Sequence, residues 1–361
     1  MKAFKFIFSG GGTGGHIYPA LAIAKAIKSI KPDANVLFVG AIDKMEMEIV
    51  PKADFKIKGL WISGFQRSFS LQNLLFPFKV FTSLLQSLII LLRFKPDAVI
   101  GTGGFASWPL LQVAQWLNYP TIIQEQNSFP GIANRILGKK ANRVCVAYEK
   151  MEDYFPPYKL RLIGNPIRFN MLSSPITASA AKRFFGLNPQ KPTLIVIGGS
   201  LGAKRINELV AKELFFFKTH DFQIIWQCGK LYFNKYKTLS SPEVVIKSFV
   251  YEMEKLYAAA DIIISRAGAG SLSELSCVGK PLILIPSPNV TANHQFHNAR
   301  ELVDKKAAFL VEECDISKFF KKIFKKLATD HNLQKEMGQN LKALAKPNST
   351  NEIVEEIMEL L

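Results

Sequence analysis

The chain has 361 residues, 48% of them hydrophobic, and a formal net charge of +17, from 46 lysines and arginines against 29 acidic residues. That length holds two domains with substantial cores. The four cysteines, Cys145, Cys228, Cys277 and Cys314, lack the paired spacing of a disulfide framework or a zinc site and fit a reducing compartment. The charge points to an anionic partner; with no helix-turn-helix, zinc-finger or RNP-type pattern, and lysines spread along the chain, nucleic acid is set aside.

Residues 3–9 read as an apolar strand, broken by glycines before a secretory leader could form. Gly10-Gly11-Gly12-Thr13-Gly14-Gly15-His16 follows, and then a helical pattern in which Pro19 suits the first turn. Strand, glycine loop and helix in that order crowd backbone N–H groups and the positive end of a helix around an oxyanion. Gly10-x-Gly12-x-x-Gly15 also matches the dinucleotide fingerprint, which requires an acidic residue near the end of the second strand. The second strand, 35–39, closes on Gly40-Ala41-Ile42, with Asp33 before it and Asp43 late. The phosphate or oxyanion reading is therefore preferred.

Residues 74–94 are apolar on nearly every side, with Lys79 and Arg93 near the ends. The uncharged core from Val80 to Leu92 is shorter than the roughly 20 residues that span a bilayer. Its second half reads as a buried helix, whereas Phe76, Phe78, Lys79 and Phe81 read as an exposed apolar-basic patch for anionic lipid. Strands at 97–100, 120–124 and 143–147 follow, the first entering Gly101-Thr102-Gly103-Gly104 and the second ending near Glu125. Gly164-Asn165-Pro166 is a turn signal and marks a boundary near residue 165. Further strands are expected at 193–197, 222–227, 244–248, 261–265 and 281–286, and 352–361 has helical apolar spacing. The first of these enters Gly198-Gly199-Ser200-Leu201-Gly202, and the fourth enters Arg266-Ala267-Gly268-Ala269-Gly270-Ser271. This alternation predicts an α/β chain with two doubly wound parallel sheets, ligands binding outside the carboxyl ends of the strands.

Several motifs in this order carry a resemblance: Gly11 to His16 with Pro19, Gly103-Gly104, Gln124-Glu125-Gln126-Asn127 with Asn134, and Gly164 to Arg168. Gly198 to Ala203, Arg266 to Ala269 with Ser273-Glu274, and His294-Gln295 with Asn298-Ala299 complete the set. The chain resembles glycosyltransferase family 28, from about residue 4 to the C-terminal helices. The resemblance implies GT-B architecture, with two Rossmann-like domains facing a cleft. Residues 1–164 would form an acceptor and membrane-associated domain, 165–340 a UDP-sugar domain, and 341–361 a segment crossing back to the first. It implies an inverting transfer of N-acetylglucosamine from UDP-N-acetylglucosamine to lipid I in peptidoglycan synthesis. The enzyme would lie peripherally on the cytoplasmic membrane face and use no cofactor.

Such a transfer needs a base for the acceptor hydroxyl and a stabiliser for the leaving diphosphate. No Asp-x-Asp metal motif occurs, which favours helix N-termini and backbone amides at 200–203 and 269–271. His16 and Glu125 are the two candidates for general base, and the sequence leaves both open. The resemblance places Thr13, Gly14, Gly15 and Asn127 on substrate, Arg168 near the nucleotide, and Ser200 on the diphosphate. It gives uracil to the Val250 backbone, the donor further to Ala269, Gly270, Ser271, Leu272 and Ser273, the ribose to Glu274, and the sugar to Gln295. Leu201 stands where the family often has glutamine, and Ser287 to Asn293 is a variant stretch. Three alternatives stay open: another GT-B lipid glycosyltransferase such as a diacylglycerol glucosyltransferase, a nicotinamide-dependent oxidoreductase, and a binding-only scaffold.

Overall fold

A parallel strand covered by helices on both faces must be apolar at nearly every position, and the apolar runs between the glycine loops form such strands. The computed structural model describes residues 3–64, 75–167, 176–199, 201–290 and 293–361. The chain divides into two compact units, 1–167 with 348–361, and 168–347.

The first unit runs β1 (Lys5–Gly10), α1 (Gly14–Ile30), β2 (Asn35–Ala41), α2 (Glu46–Ile49), β3 (Lys56–Leu60), α3 (Phe76–Phe94) and β4 (Ala98–Gly103). It continues with α4 (Ser107–Trp116), β5 (Thr121–Glu125), α5 (Ile132–Gly138), β6 (Arg143–Val146) and β7 (Leu160–Leu162). The seven strands are parallel, in the order β3-β2-β1-β4-β5-β6-β7. Successive side chains of β1 serve opposite faces. Phe6 and Phe8 pack with Ile17 and Ile23 of α1, while Ile7 packs with Leu110 and Leu111 of α4.

The second unit runs α6 (Ala178–Phe184), β8 (Thr193–Ile197), α7 (Lys204–Thr219), β9 (Gln223–Gln227), α8 (Phe233–Tyr236), β10 (Val244–Lys247), α9 (Met253–Ala258) and β11 (Ile262–Ser265). Then come α10 (Ala269–Val278), β12 (Leu282–Leu284), α11 (His294–Asp304), β13 (Phe309–Leu310), α12 (Ile316–Thr329) and α13 (His331–Ala343). Its parallel sheet is ordered β10-β9-β8-β11-β12-β13. The last helix, α14 (Ser349–Met358), belongs to the first unit and packs on α1, burying Ile353, Val354 and Ile357.

Three strands, β3, β7 and β13, are additions to those the sequence predicts, and all three lie at sheet edges. An edge strand is covered on fewer sides and tolerates lysine. In β3, Lys56-Ile57-Lys58-Gly59-Leu60, only Leu60 is buried, so no apolar run announces it.

Helix α3 corrects the expectation for its second half. Among its described residues the packed side is Ser83, Ser87, Ile90 and Leu91, with Ser83 Oγ donating to Val80 O and Ser87 Oγ to Ser83 O. Phe78, Phe81, Leu85, Ile89 and Leu92, spaced three and four apart, are 46–67% exposed. The second half therefore buries one face only; its apolar stripe continues that of the first half. Phe76 is half-buried, and so is Lys79, which donates to Ser63 Oγ at 3.1 Å and stands over the Trp61 ring. By length and composition α3 could cross a membrane, but its serine side is committed to the protein.

In each sheet the strand order reverses once, between β1 and β4 and between β8 and β11. Ligands of open α/β sheets bind outside the carboxyl ends of strands at such a switch point. All four predicted glycine loops leave these four strands.

Candidate active site

At the first switch point the loop after β1 meets the end of β4, Gly11 N–H donating to Gly103 O at 3.2 Å. A Cβ at Gly104 would stand 2.2 Å from Gly11 O, and φ there is +85°, so only glycine fits. Thr13 is extended and caps α1, whose first turn presents the N–H groups of Gly14 and Gly15. The His16 ring lies on Gly103 and Gly104, its Nε2 3.2 Å from where a Gly103 Cβ would be. Nδ1 lies 3.1 Å from Gly11 O and 3.3 Å from Thr13 Oγ1. A carbonyl only accepts, so in the contact with Gly11 O it is Nδ1 that donates.

Glu125, at the end of β5, is 1% exposed. Its Oε1 accepts from Asn127 N–H at 2.9 Å and Asn127 Nδ2 at 3.2 Å. Its Oε2 accepts from Gly131 N–H at 3.1 Å and Asn134 Nδ2 at 2.8 Å. Burial pushes this carboxyl above its ordinary pKa, and the four hydrogen bonds oppose that shift in part. Glu125 thereby holds the 127–134 loop. Behind the glycine loop, Glu46 is fully buried and accepts Gly12 N–H and Ala41 N–H, each at 3.0 Å. Glu46, the buried acidic residue that opens α2, thus serves backbone N–H groups, where a dinucleotide site would offer a carboxylate to a ribose.

The second switch point is built in the same way. Gly199 and Gly202 have φ of +89° and +81°, and a Cβ on Gly202 would meet Cys228 O at 2.0 Å. Arg266 N–H donates to Ile197 O at 3.3 Å, tying the loop after β11 to β8. Gly268 caps α10, so Ala269, Gly270 and Ser271 form its first turn with N–H groups at the positive end. A cavity of about 490 Å³ is lined by Gly198, Gly202, Lys204, Tyr232, Arg266 and Gln295, among others. The Arg266 guanidinium donates to Ile285 O at 2.9 Å and to Glu313, a pair buried to within 15% exposure. Gln295 Oε1 accepts Ser287 N–H at 2.9 Å, which leaves its NH₂ to donate to a ligand.

The N-terminal domain of glycosyltransferase family 28 matches residues 6–146, and the C-terminal domain of that family matches residues 193–356. The chain belongs to glycosyltransferase family 28. It is 53% identical to a protein of Flavobacterium psychrophilum, over 100% of this chain and 99% of that one. It is 47% identical to one of Cytophaga hutchinsonii, over 100% and 98%. Both carry the name UDP-N-acetylglucosamine--N-acetylmuramyl-(pentapeptide) pyrophosphoryl-undecaprenol N-acetylglucosamine transferase. Among solved structures, that of Acinetobacter baumannii MurG superposes with a TM-score of 0.80 at 27% identity, covering 99% of this chain and 100% of that one. The two parallel sheets are those of a GT-B glycosyltransferase.

In this family 28 enzyme, Thr13 and the first turn of α1 (Gly14, Gly15 and His16) follow β1, Glu125 ends β5 and Asn127 follows it, with His16 reaching the end of β4. Gln295 and the loop before α10 meet at the second unit's cavity, while among the described residues its lining does not include Val250 or Glu274. Glu274 is nearly buried and accepts from Tyr257 Oη at 3.3 Å. Leu272 is a core residue: its side chain is buried and its N–H donates to Gly268 O within the helix. Ser273 Oγ donates to Ala269 O at 3.1 Å. Val250 N–H, which the resemblance assigns with its carbonyl to uracil, donates to Gln227 Oε1 at 2.9 Å. Leu201 is exposed, and Arg168 and Ser200 lie outside the described residues. Glu46, Gln227 and Glu313 were not predicted, since each acts on a partner distant in sequence.

Proposed function

We propose that this enzyme transfers N-acetylglucosamine from UDP-N-acetylglucosamine to the MurNAc 4-hydroxyl of lipid I, with inversion, giving lipid II. The substrates are those printed in the names of its full-length relatives. The observation that carries the chemistry is the contact of His16 Nδ1 with Gly11 O, in which Nδ1 donates; in the neutral ring Nε2 is then the nitrogen that can take a proton. In this reading Nε2 takes the acceptor hydroxyl proton, and the oxygen attacks the anomeric carbon. The bond from that carbon to the diphosphate breaks on the opposite face, and UDP leaves. The first turn of α10 and the glycine loop before α7 stabilise the charge on the departing diphosphate. Glu125, with both oxygens engaged, positions Asn127 and Asn134 and leaves the base role to His16. The exposed apolar stripe of α3, Phe78, Phe81, Leu85, Ile89 and Leu92, supports peripheral attachment to an anionic membrane, at the cytoplasmic face where the nucleotide sugar is available.

The test is incubation of the purified enzyme with UDP-N-acetylglucosamine, a short-chain lipid I analogue and EDTA, followed by detection of the disaccharide product. Product is expected, and His16→Ala should lower kcat about a hundredfold or more with the fold retained. Binding of UDP without product would overturn the acceptor, and binding of neither substrate would overturn the transfer as proposed.

A further inference from the structure

Gln227 ends β9 and is 3% exposed. Its carboxamide spans two loops: Nε2 donates to Gly199 O at 3.1 Å, and Oε1 accepts Val250 N–H at 2.9 Å. Gly199 lies in the loop after β8 and Val250 in the segment after β10, and β9 runs between those strands. Both segments stand at the carboxyl edge of the sheet, where its ligand is expected. Gly199 O also accepts Gly202 N–H at 3.1 Å, so two donors fix the loop at a residue with φ of +89°. With Val250 N–H committed to Gln227, the backbone of Val250 offers a base its carbonyl oxygen. A carbonyl there attracts a pyrimidine that carries N3–H, as uracil does, and repels the bare N3 of cytosine.

We propose that Gln227 is a positioning residue for the nucleotide donor: its carboxamide couples the diphosphate loop to the base-reading segment and presents Val250 O to the base. This rests on the donor reading given above. Gln227→Met keeps length and burial while removing both hydrogen bonds. UDP and CDP are titrated calorimetrically into the full chain and into Q227M, and kcat and both KM values are measured. The parent should bind UDP and prefer it to CDP. Q227M should bind UDP about tenfold more weakly, or about 1.4 kcal/mol, with a smaller preference over CDP. Its donor KM should rise and its kcat should fall, since the loop that faces the departing diphosphate is loosened, while the acceptor KM stays within about twofold of the parent. A residue needed only for packing would lower Tm and the active fraction but leave UDP affinity and base preference unchanged, and that result would overturn the proposal. A parent that binds no UDP would overturn the donor reading as well. Should Q227M fail to fold, amide exchange in the parent decides. Val250 N–H protected before UDP is added supports the coupling; free exchange until UDP arrives refutes it.

Discussion

Glu125 accepts four hydrogen bonds while only 1% exposed, and burial still raises its pKa above the ordinary 4.5. In the folded chain this carboxyl keeps its proton to higher pH than in the unfolded chain. Its contribution to stability is therefore complete at pH below the unfolded value and is lost as pH rises through the folded one. Urea unfolding from pH 4.5 upward should show the parent losing stability relative to Glu125→Gln, and parallel curves would reject the assignment. Glu46 is the counterpart behind the glycine loop. Glu46→Ala leaves the part-buried N–H of Gly12 and the buried N–H of Ala41 without an acceptor, at about 1–3 kcal/mol each. A loss of roughly 3 kcal/mol or more in urea is expected, and a loss under about 1 kcal/mol would show that the loop does not depend on it.

Among the elements, α3 departs furthest from the usual partition of polar and apolar residues. A surface helix ordinarily turns its apolar stripe to the core; here Ser83 and Ser87 face the protein with Ile90 and Leu91, while Phe78, Phe81, Leu85, Ile89 and Leu92 form a second apolar stripe facing away. A phenylalanine moved from water to an apolar phase is worth about 2 kcal/mol. Phe78→Ser with Phe81→Ser should weaken sedimentation with phosphatidylglycerol vesicles at least tenfold while Tm stays within a few degrees, since both side chains are exposed. Unchanged sedimentation would place the lipid contact elsewhere. Lys79 adds less to such a contact than its sequence position promises, because Ser63 and Trp61 hold it.

For the whole molecule, the chain leaves the first unit at residue 167 and returns to it at 348. Stability of that unit thus depends on a helix that follows the whole second unit in the chain. Ile357 is fully buried among the α1 side of the sheet, and Ile357→Ala should cost about 3 kcal/mol. Hydrogen exchange should report faster opening of β1 and β2, with β8 and β9 unchanged; equal loss in both sheets would mean the units unfold together. The same switch-point construction serves both units, in each case a glycine loop and the loop after the strand across the reversal.

What the sequence determined by itself is whatever local chemistry dictates. Strands such as Thr193–Ile197, covered on both faces, had to be apolar runs, and Gly104 and Gly202 had to be glycine because backbone occupies the space of a Cβ. These features made the alternation, the four loops and the family legible. The tertiary structure decided everything that depends on a distant partner. Edge strands β3, β7 and β13 are strands only because a neighbour pairs with them. Which side of α3 packs was decided in three dimensions, where Ser83, Ser87, Ile90 and Leu91 meet the protein. For His16 and Glu125, rivals for one proton in the sequence, the tertiary structure decided the surroundings: Nδ1 of His16 lies 3.1 Å from Gly11 O, and four N–H donors reach the Glu125 carboxylate. Glu46 and Gln227 had no local signature at all: their meaning lies in hydrogen bonds to loop residues as many as 34 positions away.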